Sequence, residues 1–162
     1  MPSFQLSGLR YEPFESLFAL SDEQLHSLGV VRQVATENFG FPCRVTLQDA
    51  AIGDELLLLP YEHQSAASPY RASGPIFVRR GARQSTLPVG VVPPYVSQRL
   101  ISLRAYDAGH VMIDATVCEG AAVAEQLEHL FCNLEVAYVH LHNAKRGCFS
   151  CLASRVEQEA EA

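Results

Sequence analysis

Four consecutive leucines, Leu56 to Leu59, place apolar side chains on both faces of any strand that contains them, because successive residues of a strand point to opposite sides. A strand that is apolar on both faces needs cover on both faces, so it belongs in the interior of a sheet. We therefore predict a central strand over residues 55–61. The short helices predicted before it are candidates for part of that cover.

The segments around this strand predict an α+β fold. Pro13 begins a short helical turn, and Ser21 and Gln24 form a capping box for a second helix that ends at Gly29. A stripe of apolar residues predicts one longer helix over residues 120–134. Further strands are predicted over residues 30–35, 43–48, 75–79, 100–106, 111–117 and 136–142. This order, with short N-terminal helices and the longer helix before the last strand, indicates a single domain with a mainly antiparallel sheet.

The length of the chain, 162 residues, suits one domain and is short for two. We predict a globular domain over residues 1–156 and an acidic, frayed tail over residues 157–162. No apolar run is long enough to span a membrane, and the first residues lack the basic flank and apolar core of a secretory signal. The five cysteines are an odd number, which fits poorly with a disulfide framework. We therefore expect a cytoplasmic protein with reduced thiols.

Charge is distributed unevenly along the chain. Twelve basic and eighteen acidic residues give a net charge of −6, which argues against nucleic acid or an anionic membrane as the main partner. No Asp or Glu occurs from His63 to Tyr106. The same stretch contains six arginines: Arg71, Arg79, Arg80, Arg83, Arg99 and Arg104. This pattern predicts a local positive patch that suits a small anion.

The polar side of the predicted strands carries residues that orient ligands and transfer protons. These residues are Arg44, Thr46 and Gln48, then Ser102, Arg104 and Tyr106, then Asp114 and Thr116, then Tyr138, His140 and His142. One interpretation is the solvated side of a half-buried sheet. The other is a cleft roofed by the N-terminal helices. The absence of Lys and Glu from these positions favours the cleft, because a solvated face usually carries both.

A second polar concentration follows the central strand. Arg71 and Ser73 stand beside Gly74, so a guanidinium, a hydroxyl and a backbone N–H can meet at one oxyanion. In the alternative interpretation Arg71 pairs with Glu62, and the Ser-Gly-Pro sequence is an ordinary turn. His63 in the same segment is either an acid–base group or a structural histidine.

Cys148 and Cys151 form a CxxC motif near the end of the chain. His140 and His142 lie just before it on one face of a predicted strand, and two histidines with two cysteines can complete a tetrahedral zinc site. The spacing matches no standard zinc finger. A thiol redox site is the second alternative, since the basic residues just before the motif favour a thiolate. In the third interpretation, the two cysteines act as small apolar residues that complete the core.

Several familiar signatures are missing from the chain: the G-x-S-x-G elbow, the Walker A loop, the G-x-G-x-x-G fingerprint and H-E-x-x-H. Instead, separated blocks resemble the bacterial family catalogued as domain of unknown function 1203. The blocks are FPCRVTLQDA, GDELLLLPYEHQ, SPYRASGPIFVRRG, LISLRAYDAGHVMIDATV and VAYVHLHNAKRGCFSC. The resemblance runs from about Phe4 to Arg155 and implies a small single-domain bacterial protein. It carries over no activity and no catalytic residue.

The leading hypothesis is a protein that binds a small anionic metabolite. Arg71, Ser73 and Arg104 would hold the anion, and His63 and His140 are the candidate acid–base groups if the protein is an enzyme. The first alternative is a zinc- or thiol-dependent protein built on the CxxC motif and the two histidines before it. The second alternative is a noncatalytic homodimer that pairs an exposed strand edge.

Overall fold

Two five-stranded sheets form the protein, and the computed structural model describes residues 2–157. The strands are β1 Ser3–Ser7, β2 Val31–Val34, β3 Pro42–Cys43, β4 Gln48–Asp49, β5 Glu55–Gln64, β6 Ala72–Arg79, β7 Leu100–Tyr106, β8 Met112–Glu119, β9 Tyr138–Asn143 and β10 Phe149–Val156. The first sheet has the order β1-β10-β9-β7-β8, and the second has the order β2-β5-β6-β3-β4. β3 pairs with β6 in parallel, and the other pairs are antiparallel. The predicted α+β class and single domain are confirmed.

The helices are α1 Glu12–Glu15, α2 Asp22–Ser27, α3 Pro94–Ser97 and α4 Val123–Phe131, with 3-10 turns at Ser16–Ala19 and Gly120–Ala122. The predicted capping box begins α2. The Ser21 hydroxyl accepts a hydrogen bond from the backbone N–H of Gln24 at 3.1 Å, and the Gln24 side chain accepts one from the N–H of Ser21 at 2.9 Å. No helix within residues 2–157 is long and apolar enough to cross a membrane.

The leucine-rich strand β5 lies inside the second sheet between β2 and β6, as predicted. Leu57 and Leu59 pack in one cluster with Phe14 and Phe18 from the N-terminal helical segment. Leu56, which points to the other face, packs in a separate cluster with Ala35 and Ala50. The apolar run is therefore covered on both faces, and the N-terminal helices supply one of the covers.

Helix α4 covers one face of the first sheet. Its residues Leu127 and Phe131 pack with Leu103 of β7 and Leu141 of β9 in the largest apolar cluster. The predicted apolar stripe is therefore correct up to the helix end. Leu134 was predicted to continue the stripe, but α4 ends at Phe131 and Leu134 is 88% exposed.

The predicted strand over residues 43–48 is wrong. Only Pro42–Cys43 and Gln48–Asp49 are strands, and the chain between them is a turn with Leu47 in the left-handed region at φ 54°. The alternation of polar and apolar residues therefore does not place Arg44 on an open polar face. Its side chain is instead 1% exposed.

Strands β1 and β10 were not predicted, and β10 changes the position of the CxxC motif. β10 pairs with β9 on one side and with β1 on the other, so Cys151 lies within a strand and not after the last one. A register irregularity between Phe149 and Cys151 interrupts the alternation that would have identified this strand. Of the predicted acidic tail, residues 158–162 lie outside the described part of the chain.

Candidate functional site

The polar face of the first sheet lies opposite the face covered by α4. Strand β7 pairs with β9 so that Arg104 is opposite His140 and Ser102 is opposite His142. Residues opposite each other in an antiparallel pair have side chains on the same face, so these four side chains share one face. The register thereby brings together Arg104 and His140, two of the predicted site residues.

The end of β5 places His63 against this face. Its ring centroid lies 4.8 Å from that of His142 and 6.2 Å from that of His140. Phe149 of β10 stacks on His63, with the centroids 5.7 Å apart and the planes within 6°. We call His63, His140, His142 and Phe149 the histidine cluster. It lies where the two sheets meet, and Phe149 was missed because β10 was not predicted.

Burial keeps the histidines of the cluster uncharged near pH 7. His140 is 7% exposed, and burial lowers its pKa to about 3, with a further lowering by its histidine neighbours and Arg104. Burial lowers the pKa of His142 to about 4, although its hydrogen bond to the Gly147 carbonyl opposes the shift. For His63, burial and then the charge of Arg104 hold the pKa below its usual 6.5. The cluster therefore offers neutral imidazoles as hydrogen-bond donors and acceptors.

Three buried ring nitrogens of the cluster have no hydrogen-bond partner among the described residues: His63 Nδ1, His140 Nδ1 and His142 Nε2. His142 Nδ1 lies 3.0 Å from the carbonyl oxygen of Gly147. Because a carbonyl only accepts, Nδ1 carries the proton and Nε2 of the neutral ring is an acceptor. Buried polar atoms are nearly always paired in proteins, so these three buried nitrogens are exceptions within the described chain.

Arg104 supplies positive charge beside the cluster. The guanidinium is half-buried, and within residues 2–157 its Nε donates to Ser102 Oγ at 3.3 Å while no carboxylate forms an ion pair with it. Other arginines differ in this respect. Arg99, for example, binds Asp49 with a shortest N–O distance of 2.5 Å. The charge of Arg104 is therefore not neutralised within the described chain.

A group of tyrosines and amides closes one end of the face. Gln64 donates to the hydroxyl of Tyr138 at 2.9 Å, and His110 Nδ1 lies 2.8 Å from the same oxygen. The ring of Tyr106 stacks on that of Tyr138 with centroids 5.2 Å apart. No motif in the sequence marks Gln64 or His110 as a site residue. The bulge between Tyr61 and Gln64 breaks the alternation of β5, so a periodicity argument could not have found Gln64.

The edge of this face at strand β8 is exposed. Strand β8 is at the edge of the sheet, and its Ala115 lies opposite Arg104 while Val117 lies opposite Ser102. Ala115 is exposed, and Val117 is 60% exposed. On the β8 side the polar face is therefore bordered by two exposed apolar residues next to Arg104.

Arg71 and Ser73, two predicted anion ligands, lie on the β5–β6 hairpin. Both are exposed. The Arg71 guanidinium binds the carboxylate of Glu62 through hydrogen bonds of 3.2 and 3.3 Å, which is the pairing considered as its alternative role. None of the described hydrogen bonds joins Arg71 or Ser73 to Arg104 or to the histidine cluster. The β5–β6 register nevertheless places Ser73 opposite the bulge that contains His63.

The predicted zinc ligands do not converge. Cys151 is opposite Leu141 in the β9–β10 pair, so it lies on the α4 side of the sheet and packs in that core, away from His140 and His142. Cys148 Sγ accepts a hydrogen bond from Arg44 at 3.0 Å. Within residues 2–157, no three His, Cys, Asp or Glu residues are arranged to hold a metal ion. Burial raises the pKa of Cys151 to about 12, so its thiol stays protonated. Within the described chain His140, His142, Cys148 and Cys151 therefore do not form one four-ligand cluster.

Neither the curated proteins nor the solved structures include a match to this chain. A family model described as "Protein of unknown function (DUF1203)" matches residues 40–155, which is most of the chain. The match extends from before β3 into β10 and includes Arg104 and all three histidines of the cluster. The chain therefore belongs to the DUF1203 family, in agreement with the resemblance seen in the sequence.

Proposed function

We propose that the protein binds a small anion, a phosphate or a carboxylate, in the cleft between Arg104 and the histidine cluster. The observation that carries this proposal is the position of Arg104. It is a half-buried cation without a carboxylate partner in the described chain, and it lies opposite His140, whose Nδ1 is unpaired. A guanidinium presents several N–H donors in a fixed plane that matches phosphate and carboxylate oxygens.

The imidazoles add hydrogen bonds and a coupling to protons. A neutral imidazole can donate one N–H to an anion, and a protonated one can donate two. An anion close to a histidine favours its charged form, which opposes the depression of the pKa by burial. We therefore expect binding at this site to be tighter at pH 5.5 than at pH 7.5, with uptake of protons.

In an enzyme, His63 is better placed than His140 for proton transfer. The Nδ1 atoms of both rings are buried and unpaired, but His63 as a whole is half-buried whereas His140 is buried, so the exposed part of the His63 ring is the part that reaches water. A group that exchanges protons with a substrate and with water needs access to both. The role of His140 is then to hold the anion.

Thermal unfolding in the presence of inorganic phosphate, succinate and citrate tests the proposal at constant ionic strength. At least one of these anions is expected to raise the melting temperature of the wild-type protein, with a much smaller rise for Arg104→Gln. Arg10→Gln is the matched control, because Arg10 is an exposed arginine that pairs only with the exposed Glu12 among the described residues. An equal rise in all three proteins, or no rise with any of the anions, would contradict the proposal.

Homodimerisation through β8 is a second candidate function. β8 has eight residues and is an edge strand, so one row of its backbone groups is free to pair with another chain. Ile113 and Val117 on its outer part are exposed apolar residues. Light scattering is expected to show a dimer that Val117→Lys converts to a monomer, while Leu134→Lys, at an exposed site on another element, leaves it intact. A wild-type monomer at high concentration would contradict dimerisation.

A further inference from the structure

A groove outside the histidine cluster combines a cationic end and an aromatic end. The cationic end has a volume of about 370 Å³ and is lined by Thr46, Gln48, Arg79, Arg83, Gln84 and Ser85, together with Gly81. The aromatic end has a volume of about 410 Å³, and Thr46, Gln48 and Ser85 line it as well. The two ends are therefore adjacent, with these three residues between or beside them. Each has the size of a site for a small molecule, about 300–1,000 Å³.

The cationic end has two guanidinium groups and no carboxylate in its lining. Within residues 2–157, Arg83 makes no ion pair and is exposed. Arg79 lies 3.7 Å from Asp54, which is too long for a hydrogen bond, and its buried Nε has no partner in the described chain. The hydroxyl-bearing residues Thr46 and Ser85 stand beside these guanidinium groups. This set of donors suits a phosphate group.

The aromatic end has the features of a platform for a planar ring. Phe39 is 45% exposed, and the guanidinium of Arg99 lies 4.3 Å from its ring centroid. The carboxylate in this part of the lining, that of Asp49, is held by Arg99. Aromatic side chains that are open to a groove stack on the flat faces of heterocyclic bases.

Amide side chains accompany this platform. Asn38, Gln48 and Gln98 all line the aromatic end. The Asn38 carbonyl oxygen accepts from the N–H of Ile52 at 2.9 Å, which leaves its NH₂ group as a donor. Amides carry both donors and acceptors, and in proteins they pair with the edges of nucleobases.

We infer that this groove binds a nucleoside monophosphate, with the phosphate between Arg79 and Arg83 and the base on Phe39. The net charge of −6 argues against a long polyanion such as RNA and leaves a mononucleotide as the ligand that matches both ends. The site shares no lining residue with the Arg104 cleft, so the inference stands or falls independently of the proposed anion site.

Isothermal titration calorimetry of the whole chain tests the inference with AMP, UMP, ribose 5-phosphate and adenosine. At least one nucleotide is expected to bind more tightly than ribose 5-phosphate and adenosine, because each of these lacks one of the two recognised groups. Arg83→Gln is expected to weaken nucleotide binding by about tenfold or more, which is the typical effect of losing one charge-assisted hydrogen bond. Phe39→Ala is expected to weaken binding of the nucleotide and to leave that of ribose 5-phosphate unchanged.

The matched control is Arg10→Gln, which removes an exposed arginine that pairs only with Glu12 among the described residues and is expected to bind nucleotide like the wild-type protein. Arg104→Gln distinguishes the two sites, because it is expected to retain the nucleotide-binding step that Arg83→Gln weakens. Absence of nucleotide binding at millimolar concentration would overturn the inference. It is also overturned if Arg83→Gln has no effect, or if Arg104→Gln abolishes binding, since the nucleotide then occupies the Arg104 cleft. Equal affinity for ribose 5-phosphate and the nucleotides would overturn the role of Phe39.

Discussion

The Nε of Arg44 donates a hydrogen bond of 2.7 Å to the carbonyl oxygen of Phe149, and this bond joins the two sheets. A second nitrogen of the same guanidinium donates to the carbonyl of Pro42, also at 2.7 Å, and the third contacts Cys148 Sγ. Arg44 is thus a buried cation that is held by carbonyl dipoles and a sulfur, with no ion pair to a carboxylate in the described chain.

Replacing Arg44 by alanine is expected to destabilise the protein by about 3–5 kcal/mol, because two carbonyl groups lose their donor and a large side chain leaves a cavity. The free energy of unfolding in urea measures this loss. Arg10→Ala, at an exposed arginine, is expected to change it by less than about 0.5 kcal/mol. A loss below about 1 kcal/mol for Arg44→Ala would show that the sheets are held together without it.

The leucine run offers a test of burial at neighbouring positions. Leu57 is fully buried in the cluster beneath the N-terminal helices, whereas Leu58 is only partly buried. Leu57→Ala is expected to cost about 2–5 kcal/mol of unfolding free energy, and Leu58→Ala clearly less, since the cost grows with the size of the cavity. Urea unfolding of both variants decides this, and equal losses would contradict the burial of β5.

Gly120 stands where the chain passes close to the turn after α3. A Cβ at this position would overlap the carbonyl oxygen of Val96 and lie 2.6 Å from that of Arg99. Gly120→Ala is therefore expected to lower the unfolding free energy by about 1–3 kcal/mol. Gly74→Ala is the control, because a Cβ there meets no atom within 4 Å. If the melting temperature falls by the same amount in both variants, the close contact between Gly120 and the carbonyl groups of Val96 and Arg99 is contradicted.

The cysteines are expected to react very differently with Ellman's reagent. Cys132 is exposed and should react at once, while Cys151 is buried and its pKa is raised to about 12, so it should react only after unfolding. Cys132→Ser is expected to remove the fast phase. Labelling of Cys151 in the folded protein, located by mass spectrometry, would reopen the thiol hypothesis.

The buried histidines predict how stability depends on pH. The pKa of His140 is about 3 in the folded protein, whereas the usual value of 6.5 applies to the unfolded chain. Below about pH 6.5 the unfolded chain therefore binds a proton that the folded protein does not bind. The free energy of unfolding should therefore fall on acidification from about pH 6.5 to about pH 3, and the buried histidines should contribute no slope above that range. Each histidine that stays neutral in the folded protein contributes up to about 1.4 kcal/mol per pH unit to the slope of the unfolding free energy.

Urea unfolding at several pH values, with His140→Gln, measures this slope. The variant is expected to lose less stability on acidification than the wild-type protein. His26→Gln is the control, because His26 is exposed. Parallel pH profiles for the wild-type protein and His140→Gln would contradict this prediction, because they would mean that His140 has the same pKa in the folded and the unfolded chain.

Features encoded within a few residues were predictable from the sequence. The leucine run specified a strand covered on both faces, and Ser21 with Gln24 specified the start of α2. The hairpin of β7 and β8 was predicted from its turn, where the Asp107 carboxylate accepts from the backbone N–H groups of Gly109 and Val111, both at 2.9 Å. In each case the interacting atoms belong to one short segment, so a local pattern contains the information.

Tertiary structure decided which polar groups meet. The sequence predicts Arg44 on the polar side of a strand, and its burial was not predictable because the acceptor at Phe149 comes from the far end of the chain. Cys151 lies away from the histidines because the β9–β10 register, with its irregularity, fixes the face to which it points. His63 and His140 were both named as site residues from the sequence. Their meeting depends on the packing of one sheet against the other, and that packing is determined by the whole core and by no local motif.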